Sequence, residues 1–140
     1  FYVVLFLVFL SPVIKVPVYN FEKDEFSYKL EFISPFLTRE QKILAAFNKL
    51  KFLTPEKGEI DESITFGKVV FSKDSLVIDL TVGSSNTSSF HENIIIRQLK
   101  ETVKANFKDV TSLKINVYPK DGFKHIDTTK PFKINNKGEI

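Results

Sequence analysis

The chain has 140 residues, 43% of them apolar and 26% charged, with a formal net charge of +3 at pH 7. That length and composition suit one folded domain with an appendage and exclude disorder for the bulk of the chain. The absence of cysteine excludes a disulfide, a thiolate nucleophile and a cysteine zinc site. The charge is modest, and only Arg39 and Arg97 among twenty Lys and Arg are arginine, a poor match to a dedicated nucleic-acid binder.

The first ten residues, FYVVLFLVFL, are unbroken apolar sequence. Pro12 and Pro17 interrupt the next stretch, and Lys15 is the single charge before Asn20. Ten helical residues reach about 15 Å, half of a roughly 30 Å hydrocarbon core. A few upstream residues would make the run an export signal or an anchor, and no small-residue cleavage site comes after it. Residues 1–23 are therefore expected to form an apolar signal or anchor with its linker. A buried strand is the competing reading, because Tyr2, Val3 and Val4 suit β structure. The lack of polar alternation and the two prolines favour the membrane reading.

From Phe26 the pattern alternates, and FSYKLEFI predicts a half-buried strand with Phe26, Tyr28, Leu30 and Phe32 facing inward. The stretch TREQKILAAFNKLKF predicts a helix. Thr38 and Gln41 form a capping box there, and Ile43, Phe47 and Leu50 make its apolar face. A loop with Pro55 and Gly58 comes next. Two strands, about Gly67–Phe71 and Leu76–Val82, are then joined through Ser72–Ser75 as a hairpin. After a Ser-rich loop, Ser89 and Glu92 suggest a second capping box opening FHENIIIRQLKETVKANF. Ile95, Ile96, Leu99, Val103 and Phe107 share one face of that helix, with Asn106 a polar exception. SLKINVY then alternates Leu113, Ile115 and Val117 inward, and Pro119 stops it.

The order β-α-β-β-α-β predicts an α+β domain over residues 24–133, with a polar tail at 134–140. Its simplest packing is a four-stranded sheet with two helices on one face. The core is expected to rest on Phe, Ile, Leu and Val, and the other sheet face to be wet, covered by the tail or used for binding.

These parts resemble the GerMN domain of sporulation and spore germination, from about Phe26 to Phe132. The likeness is carried by LVIDLTV before a polar loop, by Glu92 opening the second helix, by IRQLKETVKANFKDVTSLKINV, and by the closing HIDTTKPF. The Gly-Pro turn usual after the first helix is replaced by FLTPEKGEI. The resemblance implies an extracytoplasmic bacterial protein, lipoprotein-like or membrane-anchored. Its role would be structural or binding, without catalytic residues. No lipobox cysteine exists, so tethering would fall to the apolar N-terminus.

Each candidate site has a plainer explanation. His125 and Asp127 share a face of an extended segment, but no G-x-S-x-G elbow supplies a nucleophile. Asp127 is expected to hold a local turn at Thr128–Thr129 instead. His91 and Glu92 lack the second His of H-E-x-x-H, position 95 being Ile95. The loop GSSNTSS ends at a helix N-terminus but is not a nucleotide-binding loop. Arg97, Lys100, Lys104 and Lys108 line the second helix, where they would meet acidic wall polymers, lipid head groups or an acidic partner, or simply face water.

The expected function is a non-enzymatic, membrane-tethered domain acting through protein–protein or cell-envelope contacts. Envelope proteins, wall polymers and further copies of the chain are its expected partners, and the membrane is met through the N-terminal segment. No cofactor, metal or nucleic acid is expected. The rival readings are an RRM-like nucleic-acid-binding module, whose element order is the same, and an accessory domain of a cell-wall hydrolase or small esterase.

Overall fold

In the computed structural model, which describes residues 13–53, 60, 63–83 and 88–134, a strand already runs at Val13. Strands β1 (Val13–Asn20) and β2 (Glu25–Phe32) form an antiparallel hairpin, with Val13 opposite Phe32 and Asn20 opposite Glu25. Its turn is tied by Asn20 Oδ1, which accepts from the N–H groups of Glu22 and Lys23. Asp24 closes the turn at φ 50°, the left-handed region that Asp tolerates better than most residues. Residues 13–20, expected in a linker, are therefore part of the fold. Ile14 and Val16 are buried in the core, and burying such side chains stabilises by about 1.5–3 kcal/mol each. Pro17 does not break the strand. Its missing N–H falls on the edge turned away from β2, where no ladder bond is lost. The apolar run at residues 1–12 lies outside the described residues.

Helix α1 (Arg39–Lys49) begins with the expected capping box. Thr38 Oγ1 accepts from the Gln41 N–H, and Gln41 Oε1 accepts from the Thr38 N–H. Ile43, Ala46 and Phe47 are buried, as is Leu50 in the adjoining 3-10 turn Leu50–Phe52. Strands β3 (Ile64–Ser72) and β4 (Ser75–Val82) form the expected hairpin, turned by Lys73 and Asp74 with Lys73 at φ 56°. A register shift between Phe66 and Val69 changes the parity of β3. Ile64 and Phe66 point to the core before it, and Val69 and Phe71 pack against the core after it.

Helix α2 (Ser89–Asn106) carries the chain across to β5 (Ser112–Tyr118), which pairs parallel to β4. A two-residue strand β6 (Phe132–Lys133) pairs antiparallel to β5. Ile134, expected in the polar tail, is buried, and its N–H donates to Thr111 O at 2.9 Å.

Two sheets result among the described residues: the hairpin β1-β2, and a four-stranded sheet in the order β3-β4-β5-β6. The α+β class and the four strands agree with the sequence, but their membership does not. The strand at residues 25–32 pairs with β1 instead of joining the main sheet, and the end of the chain supplies the fourth strand. A split β-α-β topology of the RRM kind therefore does not arise. The inward rows Leu76, Ile78, Leu80 and Leu113, Ile115, Val117 meet the apolar faces of both helices in one core.

The alternation in β2 is also present, but only Phe26 of the row placed inside is half-buried. Leu30 is 61% exposed and Phe32 74% exposed, where the sequence placed both inside. Phe36 and Phe52 are exposed too, so only part of the Phe content builds the core.

Candidate interaction surface

Helix α2 is buried on more than its sheet-facing stripe. Ile94, Gln98, Thr102 and Asn106 succeed one another at four-residue spacing, which sets them in a single ridge along the helix. The ridge meets the outer backbone edge of β1. Asn106 accepts from the Lys15 N–H at 2.8 Å and donates to Lys15 O at 2.9 Å. Gln98 Nε2 donates to Pro17 O at 3.4 Å. The polar exception at Asn106 thus takes the place of a neighbouring strand for β1, answering backbone groups that would otherwise lack partners.

The next row of the helix holds β2. Arg97 donates to Asp24 Oδ1 at 2.8 Å, and its guanidinium stands 5.5 Å from the Tyr19 ring centre and 5.3 Å from that of Phe26. The Tyr19 hydroxyl donates to the same carboxylate. Those two bonds hold the Asp24 carboxyl below its ordinary range, that of Tyr19 first. The bond to Asp24 holds the Tyr19 hydroxyl above its ordinary value, and Asp24 likewise raises Arg97. Glu101 accepts from the Tyr28 hydroxyl at 2.6 Å. Burial first, then Glu101, pushes the Tyr28 hydroxyl up.

The predicted basic stripe therefore divides. Arg97 is a latch on the hairpin. Lys104 and Lys108 come together with Lys15, Tyr28 and Ala105 around a shallow cavity of about 170 Å³. Lys100 is half-buried on the same helix and does not line it. Arg39, which the sequence did not single out, donates from Nη2 to both oxygens of Asp109 at 3.0 and 2.8 Å and lies 4.3 Å from the Phe71 ring centre. Both arginines of the chain join elements that are distant in sequence, a task suited to a planar fork that also stacks on rings.

Glu92 is not the capping-box partner that the sequence suggested. Ser88 is the N-cap, and its hydroxyl accepts from the His91 N–H at 3.2 Å. The Glu92 side chain is fully buried and accepts three backbone N–H groups, from Lys124, His125 and Ile126, at 3.0, 2.8 and 3.1 Å. The stretch that opens HIDTTKPF is thereby strapped to the start of α2. His91 is exposed beside it. Among the described residues no group of three or more His, Asp or Glu is placed to hold a metal ion. Most of the GSSNTSS loop, residues 84–87, lies outside the described residues.

His125 is exposed, and Asp127 is engaged elsewhere. Asp127 Oδ1 accepts from the Thr129 N–H at 2.9 Å and from the Thr129 hydroxyl, the local turn expected from sequence. The Thr129 hydroxyl, then its N–H, holds the Asp127 carboxyl below its ordinary range, with Lys130 and Lys114 adding less. A carboxyl lowered by folding contributes stability above its unfolded pKa, about 3.9, and loses it as pH falls through the lower folded value. Wild-type stability should therefore drop more steeply below about pH 4 than that of Asp127→Ala. Thermal melts across the acid range check this, and superimposable pH profiles would contradict it.

The open face of the main sheet holds a second cleft of about 290 Å³, lined by residues that include Lys114, Asn116, Tyr118, Lys120, Thr128 and Thr129. Its polar groups answer one another. Lys114 Nζ donates to Thr128 O at 2.9 Å and to Asn116 Oδ1 at 3.1 Å, while Asn116 Nδ2 donates to Asp79 Oδ1 at 3.0 Å. The segment around Thr128 thus leans over one side of a face on which Val70 and Val77 stand among polar residues.

No family model matches the sequence, and no curated protein does. Solved structures do match, and they show that the chain has the fold of GerMN domains. The tandem GerMN domains of the sporulation protein GerM from Bacillus subtilis superpose with a TM-score of 0.65 at 16% identity, covering 90% of this chain and 46% of that one. This chain therefore spans about half of that tandem structure. The first GerMN domain of the same protein gives a TM-score of 0.56 at 13% identity, covering 78% of this chain and 84% of that one. A Clostridium perfringens structure described as a "putative lipoprotein" gives 0.55 at 11% identity, covering 88% and 86%.

Proposed function

We propose that this chain is a non-enzymatic, extracytoplasmic binding domain, tethered to the membrane by its apolar N-terminal run and acting through protein or cell-envelope contacts. One observation carries the reading. Three of the ionisable side chains that first suggested a site are engaged in holding the fold: Glu92 on three backbone N–H groups, Asp127 on Thr129, and Arg97 on Asp24. Exposed apolar side chains remain on the hairpin, and lysines stand beside them. Such a surface suits contact more than catalysis. Similarity in fold to a structure described as a "putative lipoprotein" supports a role in the bacterial envelope. No helix among the described residues is long and apolar enough to cross a membrane, so the tether in this reading is residues 1–12.

The test is to express the chain in a bacterium, fractionate the cells, and add protease to intact protoplasts. The domain should sediment with membranes and be digested while cytoplasmic markers survive. A soluble, protease-protected chain would overturn the location. A hydrolytic activity abolished by His125→Ala without unfolding would overturn the non-enzymatic reading.

A further inference from the structure

The hairpin presents an apolar surface with no cover among the described residues. Val13 lies directly across from Phe32, and Lys15 directly across from Leu30, so these four side chains share one face. Val13, Leu30 and Phe32 are exposed on it. The same face carries Lys15 and Tyr28 into the shallow cavity that Lys104 and Lys108 complete. Three lysines thus stand beside three protruding apolar side chains, and the outer edge of β2 pairs with no strand among the described residues.

The direction of the chain adds a second, independent argument. Only Ser11 and Pro12 separate Val13 from the apolar run FYVVLFLVFL. If that run enters a bilayer, Val13 and its partner Phe32 stand at the point of entry. Lys15 and the lysines at the end of α2 then lie at headgroup height.

We propose that the face made by Val13, Leu30 and Phe32, with Lys15, Lys104 and Lys108 at its flank, rests on an anionic phospholipid surface and fixes the orientation of the domain. The apolar side chains enter the boundary between headgroups and acyl chains, as those of interfacial elements do. The lysines answer lipid phosphates, an attraction that weakens with salt and vanishes on neutral lipid. Packed this way, the hairpin edge is hidden from other strands. The inference rests on the tether proposed above, but it makes a separate claim about which face meets lipid.

The chain contains no Trp, so one introduced Trp reports a single position. Phe32→Trp and Tyr118→Trp, in the full chain, would be mixed with phosphatidylcholine vesicles with and without phosphatidylglycerol. The acyl chains would be brominated near the headgroup. Both positions are exposed, and Tyr118 lies on the open face of the main sheet, so neither change should disturb folding. The proposal expects a blue shift and quenching for Phe32→Trp in anionic vesicles, and neither for Tyr118→Trp. Adding Lys104→Glu with Lys108→Glu should bring the quenching down to its level in neutral vesicles.

Co-sedimentation with vesicles reads the tether separately. A chain that sediments while Phe32→Trp stays unquenched overturns the docking face and leaves the tether standing. A chain that does not sediment overturns both. A Phe32→Trp signal already shifted without lipid, in a self-associated species, would give the face to a second copy and overturn the proposal.

Discussion

Replacing Glu92 by Ala is expected to lower the unfolding free energy by about 3–5 kcal/mol, because three backbone donors lose their shared acceptor. The carboxylate accepts from three successive backbone N–H groups, and the side chain is fully buried. Alanine would leave those three donors without that acceptor, each at a cost of about 1–3 kcal/mol unless water enters. A small domain is stable by only about 5–15 kcal/mol, so the loss is a large share of the total. Glu92→Gln should cost less. Its amide oxygen can still accept from His125 and Ile126, but its NH2 would face the Lys124 N–H. Urea unfolding of both variants, with hydrogen exchange at residues 124–126, checks the order. An alanine variant within about 0.5 kcal/mol of wild type would mean that other contacts hold the strap.

The second large effect is expected at Phe47. Its ring is wholly buried and stacks on Phe66 with centroids 5.2 Å apart. Phe47→Ala should cost about 3–5 kcal/mol through lost transfer energy and a cavity that close-packed neighbours cannot fill. Phe52 lies five residues on, in the turn that ends the same helical segment, and is 81% exposed. Phe52→Ala should stay within about 0.5 kcal/mol. Phe32→Ala should do the same, because its exposure is close to that of Phe52. Denaturant midpoints of the three variants separate these cases. A loss at Phe32 comparable to that at Phe47 would show that β2 is covered in solution.

The contrast among these phenylalanines marks what a pattern can reveal. Along α1 and α2 the apolar residues recur at helical spacing, and every apolar residue assigned to those stripes is buried. The Thr38–Gln41 box and the Lys73-Asp74 turn were legible for the same reason, since both partners lie within a few residues of one another. In β2 the period of two was equally clear, but a period fixes only that alternate residues share a face. It does not say which face is covered. Phe26 is half-buried beside Arg97, while Leu30 and Phe32 on the same face reach solvent.

The other departures from expectation have one origin. Glu92 looked like a cap because Ser89 sits three residues before it, yet the groups it binds are more than thirty residues away. Asn106 looked like a flaw in an apolar face, and Arg97 like one member of a solvated stripe. Each is explained by a hairpin whose strand β1 was itself hidden in the sequence, because Pro17 and the neighbouring apolar run suggested a linker. The sequence did carry one signal, the spacing of Gln98, Thr102 and Asn106, a polar ridge beside an apolar one. It marks a helix face that meets backbone.

The sequence by itself determined the helices, their stripes, the cap of α1, the β3-β4 hairpin, the α+β class and the inward row of β5. All of these depend on local backbone preference and on the periodicity of one element. Tertiary structure alone decided that residues 13–32 fold onto α2, that Phe132–Lys133 completes the sheet, and that Glu92 binds residues 124–126. Those contacts span 91 residues between Lys15 and Asn106, and 33 between Glu92 and His125. A hydrogen-bonding group is equally competent wherever it stands in the chain, so only the packed chain assigns its partner.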